Sequence, residues 1–259
     1  MKYIIYLTTA LVILLSVPHD APAQDQSLSA DQIMDKVDKL KEPKDLTADM
    51  TMILINKKGK ERKRKVRTIR QGRDKQIMWF LEPADVKGTG FMRIEKEGDF
   101  DDMRLYLPAF KKTRRITSSA KGDNFMGSDL TYEDMTTRKL EDYKYELQGE
   151  ETVDEKPCYK VKCTPVSKGK SEYGHIISWV WKDEWIPVKE EFYDKKAKLL
   201  KNKLLLDFKP LKSYQIFGTM KVENVQKKHS TVLNMDNISV DEGVKSGLFH
   251  ERNLKRIPR

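Results

Sequence analysis

Ser128 is the serine best placed for nucleophilic chemistry, but Met126-Gly127-Ser128-Asp129 lacks the second glycine of a nucleophile elbow. Beyond the first 23 residues the histidines are His175, His229 and His250, scattered along the chain with no second histidine at ligand spacing. Each therefore reads as a structural residue. Glu133 and Asp134 are adjacent, so on a strand they would point to opposite faces and not converge on one substrate. There is no phosphate-binding loop and no dinucleotide fingerprint. The residue types give no catalytic centre, no metal and no cofactor, and the chain reads as a binding protein, not an enzyme.

Two features suit binding. Met50, Met52, Met78, Met92, Met103, Met220 and Met235 all fall in segments that read as strands, and Met50 and Met52 share a face. Methionine is flexible and polarizable, so a methionine-rich face adapts to apolar partners of varied shape. The alternatives are an ordinary β core and a lipid-sized cavity. The second feature is a basic hairpin, with Lys57, Lys58, Lys60, Arg62, Lys63, Arg64, Lys65, Arg67 and Arg70 against the single anion Glu61. Such a run can serve as a solvated, aggregation-resistant strand. Its density also suits docking to an anionic membrane or an acidic partner, with Lys57, Lys58, Arg62 and Arg64 as the docking residues.

The N-terminus says where these features work. Lys2 precedes an almost wholly apolar run from Ile4 to Val17, and Ala21-Pro22-Ala23 supplies small residues at the two positions a signal peptidase reads. The run falls short of the roughly 20 residues a membrane-spanning helix needs. Residues 1–23 are thus expected to be a signal peptide cleaved after Ala23, and 24–259 a single periplasmic domain. Lys2 and Asp20 cancel, so removing the signal keeps the net charge of +10. A basic surface suits nucleic acid, anionic lipid or an acidic protein, and export leaves no nucleic-acid partner. Cys158 and Cys163 are five residues apart on one strand, which puts them on opposite faces and too far apart for a disulfide.

The elements that would position a site are mostly strands. Ser29 is an N-cap for a short helix over Asp31 to Leu40. Leu46, Ala48, Met50, Met52 and Leu54 then alternate with polar neighbours, the period of a strand with one apolar face. Asn56-Lys57-Lys58-Gly59 turns the chain into the basic strand, and further short strands follow at even spacing to Val240. Residues 109–138 break the pattern and show no sustained period. Their Ile116, Phe125, Met126, Leu130 and Tyr132 nonetheless argue for an ordered segment.

Leu105-Tyr106-Leu107-Pro108-Ala109-Phe110-Lys111-Lys112-Thr113-Arg114-Arg115-Ile116, followed by Phe125-Met126-Gly127-Ser128-Asp129-Leu130-Thr131-Tyr132-Glu133-Asp134-Met135, resembles the signature of LolA-like outer-membrane lipoprotein-sorting proteins. The branch it most resembles is found beside RND-family or MMPL-type exporters. Phe249 and Asn253-Leu254 resemble the family's ending. The resemblance implies a mainly β (α+β) fold, a half-open antiparallel β-barrel of about 11 strands with short helices plugging its concave side. It implies a monomeric periplasmic carrier for a lipid or lipoprotein acyl chain, with an inner-membrane exporter as a further partner. The alternative is a non-carrier accessory protein that docks the exporter. In such a barrel Met50, Met52, Leu54, Met78, Phe80, Met103 and Leu105 would line the ligand cavity. Residues 109–135 would form a lid that packs Ile116, Phe125 and Met126 inward and sets Arg114 and Arg115 beside Asp129, Glu133 or Asp134.

Overall fold

A computed structural model describes residues 28–257 apart from Asp99 and Lys168, so the signal segment and its cleavage point lie outside the described residues. The chain opens with α1 (Ala30–Asp38), held at its start by a reciprocal cap. Ser29 Oγ accepts from the Gln32 amide at 3.2 Å, and Gln32 Oε1 accepts from the Ser29 amide at 2.8 Å. This satisfies two of the donors that a helix start leaves free.

Strands make up most of the remaining regular structure. They are β1 (Asp45–Ile55), β2 (Glu61–Gln71), β3 (Lys75–Glu82), β4 (Gly90–Ile94), β5 (Asp102–Leu107) and β6 (Lys112–Ile116) before residue 117. After residue 142 come β7 (Tyr143–Val153), β8 (Lys156–Pro165), β9 (His175–Trp181), β10 (Pro187–Tyr193) and β11 (Leu199–Leu206). The chain ends with β12 (Lys209–Leu211), β13 (Tyr214–Ile216), β14 (Thr219–Asn224) and β15 (His229–Val240). All but β12 and β13 belong to one 13-stranded antiparallel sheet in the order β6-β5-β4-β3-β2-β1-β15-β14-β11-β10-β9-β8-β7. The sheet is not closed: β6 and β7 are its two edges, and there are thirteen strands instead of about eleven. Strand β6 lies within the region expected to be irregular, and β12–β13 form a separate two-stranded hairpin outside the large sheet.

The period-two pattern of β1 sets the faces. Met50, Met52 and Leu54 are buried on the inner face, and their neighbours across β2 are Val66, Arg64 and Arg62. Besides a small group of Leu46, Ala48, Val240 and Tyr214, two larger apolar groups occupy that face. One gathers residues of β1–β6 with Val222 and Leu233. The other puts α1, through Ile33 and Met34, against Val161, Cys163, Ile176, Val180 and Phe192. Cys158 joins a different group with Trp179 and Val188, and both cysteines are free, as their five-residue spacing requires. Burial pushes the Cys163 thiol up to about 12, so it stays protonated.

On the outer face the C-terminal segment covers Ile77, Trp79 and Met92 with the fully buried Leu254. The Trp79 indole donates to the Asn253 carbonyl at 3.1 Å. Gly90 makes this approach fit, because a Cβ there would stand 2.4 Å from the Leu254 carbonyl oxygen. The family-like ending therefore has a structural job: it shields the half of the sheet whose inner face carries the larger apolar group.

Candidate functional site

All seven residues expected to line the cavity, Met50, Met52, Leu54, Met78, Phe80, Met103 and Leu105, are buried in the same inner-face group. They are not facing an open space. The segment that joins edge strand β6 to edge strand β7, residues 117–142, crosses the inner face and lays Phe125, Leu130 and Tyr132 on them. Phe125 sits edge-on to Phe91 with ring centres 4.9 Å apart, and its ring lies 6.2 Å from that of Phe80 and 5.9 Å from that of Tyr132. Ile116 and Phe125 are buried and Met126 is half-buried. This strap is ordered through short 3-10 turns, and the strand β6 before it corrects the expectation of wholly irregular structure. Edge strand β6 escapes a pattern search because its residues, Ile116 apart, are exposed or half-exposed.

The strap's apolar rings would not by themselves fix its course. A polar belt does so. Between the two apolar groups β10, β11 and β15 place Glu190, Lys201 and Thr231 on the inner face, each almost wholly buried. Lys201 forms an ion pair with Asp134 and donates to the Asp129 carbonyl at 3.2 Å. Asp134 accepts from the Tyr173 hydroxyl at 2.8 Å and from the Thr131 amide at 2.7 Å. Burial, then the Asp134 charge, push the Tyr173 phenol well up. Asp129 takes the Thr231 hydroxyl and His229 Nδ1, each at 2.7 Å. Farther along, Arg138 reaches Glu190 at 2.9 Å, and Lys203 pairs with the same carboxylate. At the other side Arg64 donates to the Met126 carbonyl.

These partners correct one expectation. Arg114 and Arg115 are exposed on β6, and Arg115 faces Asp102 at 3.8 Å and not the strap's acids. An edge strand presents such side chains to water, so the strap's carboxylates take buried partners from the opposite half of the sheet. Glu133 also behaves differently from a strand residue. It lies in a 3-10 turn and binds the Ser171 hydroxyl and the Glu172 amide, while burial raises its carboxyl above the ordinary value. Ser128 donates to the Phe125 carbonyl at 2.7 Å and accepts from the Leu130 amide at 3.2 Å, so its hydroxyl is spent on shaping the strap.

The basic hairpin divides by face. Lys63, Lys65 and Arg67 pair with Glu61, Glu82 and Asp49, and Arg70 pairs with Glu42. Lys57, Lys58 and Arg62 are exposed near the tip, and Arg64 is the docking candidate that turns inward to the strap.

The chain resembles a protein family and several solved structures. A family model described as an uncharacterized protein matches residues 72–256. No curated protein matches the chain. Among solved structures, a domain described as an outer membrane lipoprotein-sorting protein from Vibrio parahaemolyticus is 31% identical, with a TM-score of 0.82 over 88% of this chain and 98% of that one. The chain belongs to the outer-membrane lipoprotein-sorting protein family. A DUF1329 family protein from Desulfovibrio piger is 30% identical, with a TM-score of 0.82 over 87% of this chain and 97% of that one. A LolA superfamily protein from Nitrosomonas europaea shares the fold at 17% identity, with a TM-score of 0.69 over 87% of this chain and 99% of that one.

Within this lipoprotein-sorting fold the Glu190 pairs should make the hold on the strap's Arg138 sensitive to acid. Burial alone would raise the Glu190 carboxyl, but Arg138 and Lys203 outweigh it and hold the group at about 2, below the ordinary 4.5. A depressed carboxyl contributes stability that is present above pH 4.5 and is lost as the pH falls towards 2. Urea unfolding followed from pH 5 downward should show that loss. Glu190→Gln should start less stable at neutral pH and lose less on acidification; an unchanged slope would place the acid lability elsewhere.

Proposed function

We propose that the mature protein, residues 24–259 after cleavage of a signal at Ala23, is a periplasmic carrier. It takes a lipid or lipoprotein acyl chain against Met50, Met52, Leu54, Met78, Phe80, Met103 and Leu105, and ferries it between the inner and outer membranes. One observation carries this reading. The largest apolar group on the inner face is closed by a strap held through side-chain clasps, not by another strand of the sheet. Ile116, Phe125 and Met126 then act as the lid's apolar contacts, and the acyl chain would take the place of the Phe125, Leu130 and Tyr132 side chains. The reading needs no cofactor and assigns no bond-making step. An RND- or MMPL-type exporter is the inner-membrane partner in this scheme.

Burying an acyl chain yields about 0.8 kcal/mol per methylene, so ten methylenes give about 8 kcal/mol before ordering costs. That suffices for binding near the micromolar range. A fluorescent fatty acid titrated into the purified mature protein should saturate in that range and raise the melting temperature as it does so. The filled state of the inner face favours a second reading, an accessory protein that docks an exporter and carries nothing. Absence of uptake, with no thermal shift, would establish that reading in place of the first.

A further inference from the structure

Several turns at one end of the sheet are basic, and two turns at the other end are acidic. Strand registers put the 56–60, 108–111, 194–198 and 225–228 turns at one end. The 56–60 and 225–228 turns contain three and two lysines and no acid, and the 194–198 turn sets three lysines against Asp194. At the other end the 154–155 turn is Asp154-Glu155. There the 95–101 turn holds Glu95, Glu97, Asp99 and Asp101 against Lys96, with Glu95 and Asp101 paired to Arg93. The separation is spatial and not apparent along the chain, because the hairpins alternate between the ends.

The basic end also carries the most exposed large apolar side chain among the described residues, Phe110, at 70% exposure. Its turn is firmly built. Pro108 opens a 3-10 turn, the Lys111 amide returns to the Pro108 carbonyl at 3.0 Å, and a Cβ on Gly88 of the neighbouring loop would touch Pro108 at 3.3 Å. A ring held out by a rigid turn costs little further ordering when it is buried. Lys111 and Lys112 follow it directly, both exposed. Val166, another exposed large apolar residue, is at the same end. An apolar ring projecting among cations, on an end with few acids, matches the boundary between phosphate headgroups and acyl chains.

We infer that this end of the sheet docks on an anionic lipid surface, with the lysine turns on the headgroups and Phe110 inserted between them. An acidic protein would need a matching pocket for the ring as well as acids for the lysines, whereas an anionic bilayer offers both along its whole surface. The inference stands apart from lipid carriage, since an accessory protein would use the same surface. It also sets the strap's clasps towards the bilayer, because Arg64 and Lys227, which reach Met126 and Asn124, lie at this end.

The test is co-flotation of the mature protein with vesicles of phosphatidylglycerol and phosphatidylcholine, beside vesicles of phosphatidylcholine alone. Binding should require the anionic lipid and fall steeply as salt rises. Phe110→Ser should weaken it roughly tenfold or more, from the lost burial of one aromatic ring. Lys57→Glu with Lys58→Glu should weaken it by about as much. Lys245→Glu, a charge reversal at the opposite end, should leave it unchanged. Melting curves of each variant check that the fold is intact. No binding to anionic vesicles, binding indifferent to Phe110→Ser, or an equal loss with Lys245→Glu would overturn the inference. The first outcome would assign the basic end to a protein partner.

Discussion

Asp134→Asn is expected to destabilise the protein by about 3–5 kcal/mol, because it leaves a buried ammonium without its counter-charge. Lys201 is 1% exposed and has Asp134 as its only ion-pair partner among the described residues. Asparagine could still accept from the Tyr173 hydroxyl through its carbonyl oxygen. Its amide group would then face the Lys201 ammonium and the Thr131 amide, donor against donor, where Asp134 Oδ2 now accepts from both. The Asp129 carbonyl and the Tyr173 and Phe192 rings, 4.9 and 4.8 Å from Lys201 Nζ, would remain. They place the cost towards the lower end of the range. For a domain of this size the melting temperature should fall by roughly 10 °C. Adding Lys201→Met to Asp134→Asn removes the stranded charge and should recover much of that loss, which a double-mutant cycle reads directly. Hydrogen exchange should quicken in residues 121–136 before it does in the sheet. A variant that melts like the wild type would show that this pair is not what holds the strap.

That clasp shows where the sequence is readable and where it is not. The alternation from Leu46 to Leu54 predicts β1 and its inward face because one face is dry and the other wet. Ser29 predicts the helix start because capping chemistry is local, and the structure adds the reciprocal contact from Gln32. The five-residue cysteine spacing works because strand geometry alone decides it. By contrast, Lys201 and Glu190 stand in strands whose pattern, Leu199-Leu200-Lys201-Asn202-Lys203 for example, reads the same whether a charge meets water or a distant carboxylate. Asp134 and Lys201 are 67 residues apart, and Asp129 and His229 are 100 apart. No periodicity links positions at those distances. The seven apolar residues were legible as one face for the same reason that β1 was. What covers them was not, because the strap's path is fixed by those long-range pairs. Arg114 and Arg115 suit the strap's acids only in an irregular lid, and strand β6 turns them to water instead.

The covered state reverses one intuitive test of lipid carriage. A charge at Met52 or Met103, which are 2% and 0% exposed in a packed group, would unfold the protein and say nothing about ligand. Phe125→Ala is more telling, because two effects of opposite sign follow from one truncation. Without ligand, losing a ring packed against Phe80, Phe91 and Tyr132 should cost about 3–5 kcal/mol, since the surrounding strands cannot collapse to fill the gap. With an acyl chain present, the same truncation removes the side chain that competes for the site. In the wild type the apparent affinity is reduced by the fraction of molecules whose strap rings are displaced. In the variant that handicap shrinks, so a fluorescent fatty acid should bind about tenfold or more tightly, a gain of about 1.4 kcal/mol or more. Saturating ligand should therefore raise the variant's melting temperature by more than it raises the wild type's. Tyr132→Phe, which keeps the ring, should behave like the wild type in both measurements. If Phe125→Ala loses stability but gains neither affinity nor ligand rescue, the strap rings are core residues and not a plug. The inner face then belongs to an accessory protein with a solid interior.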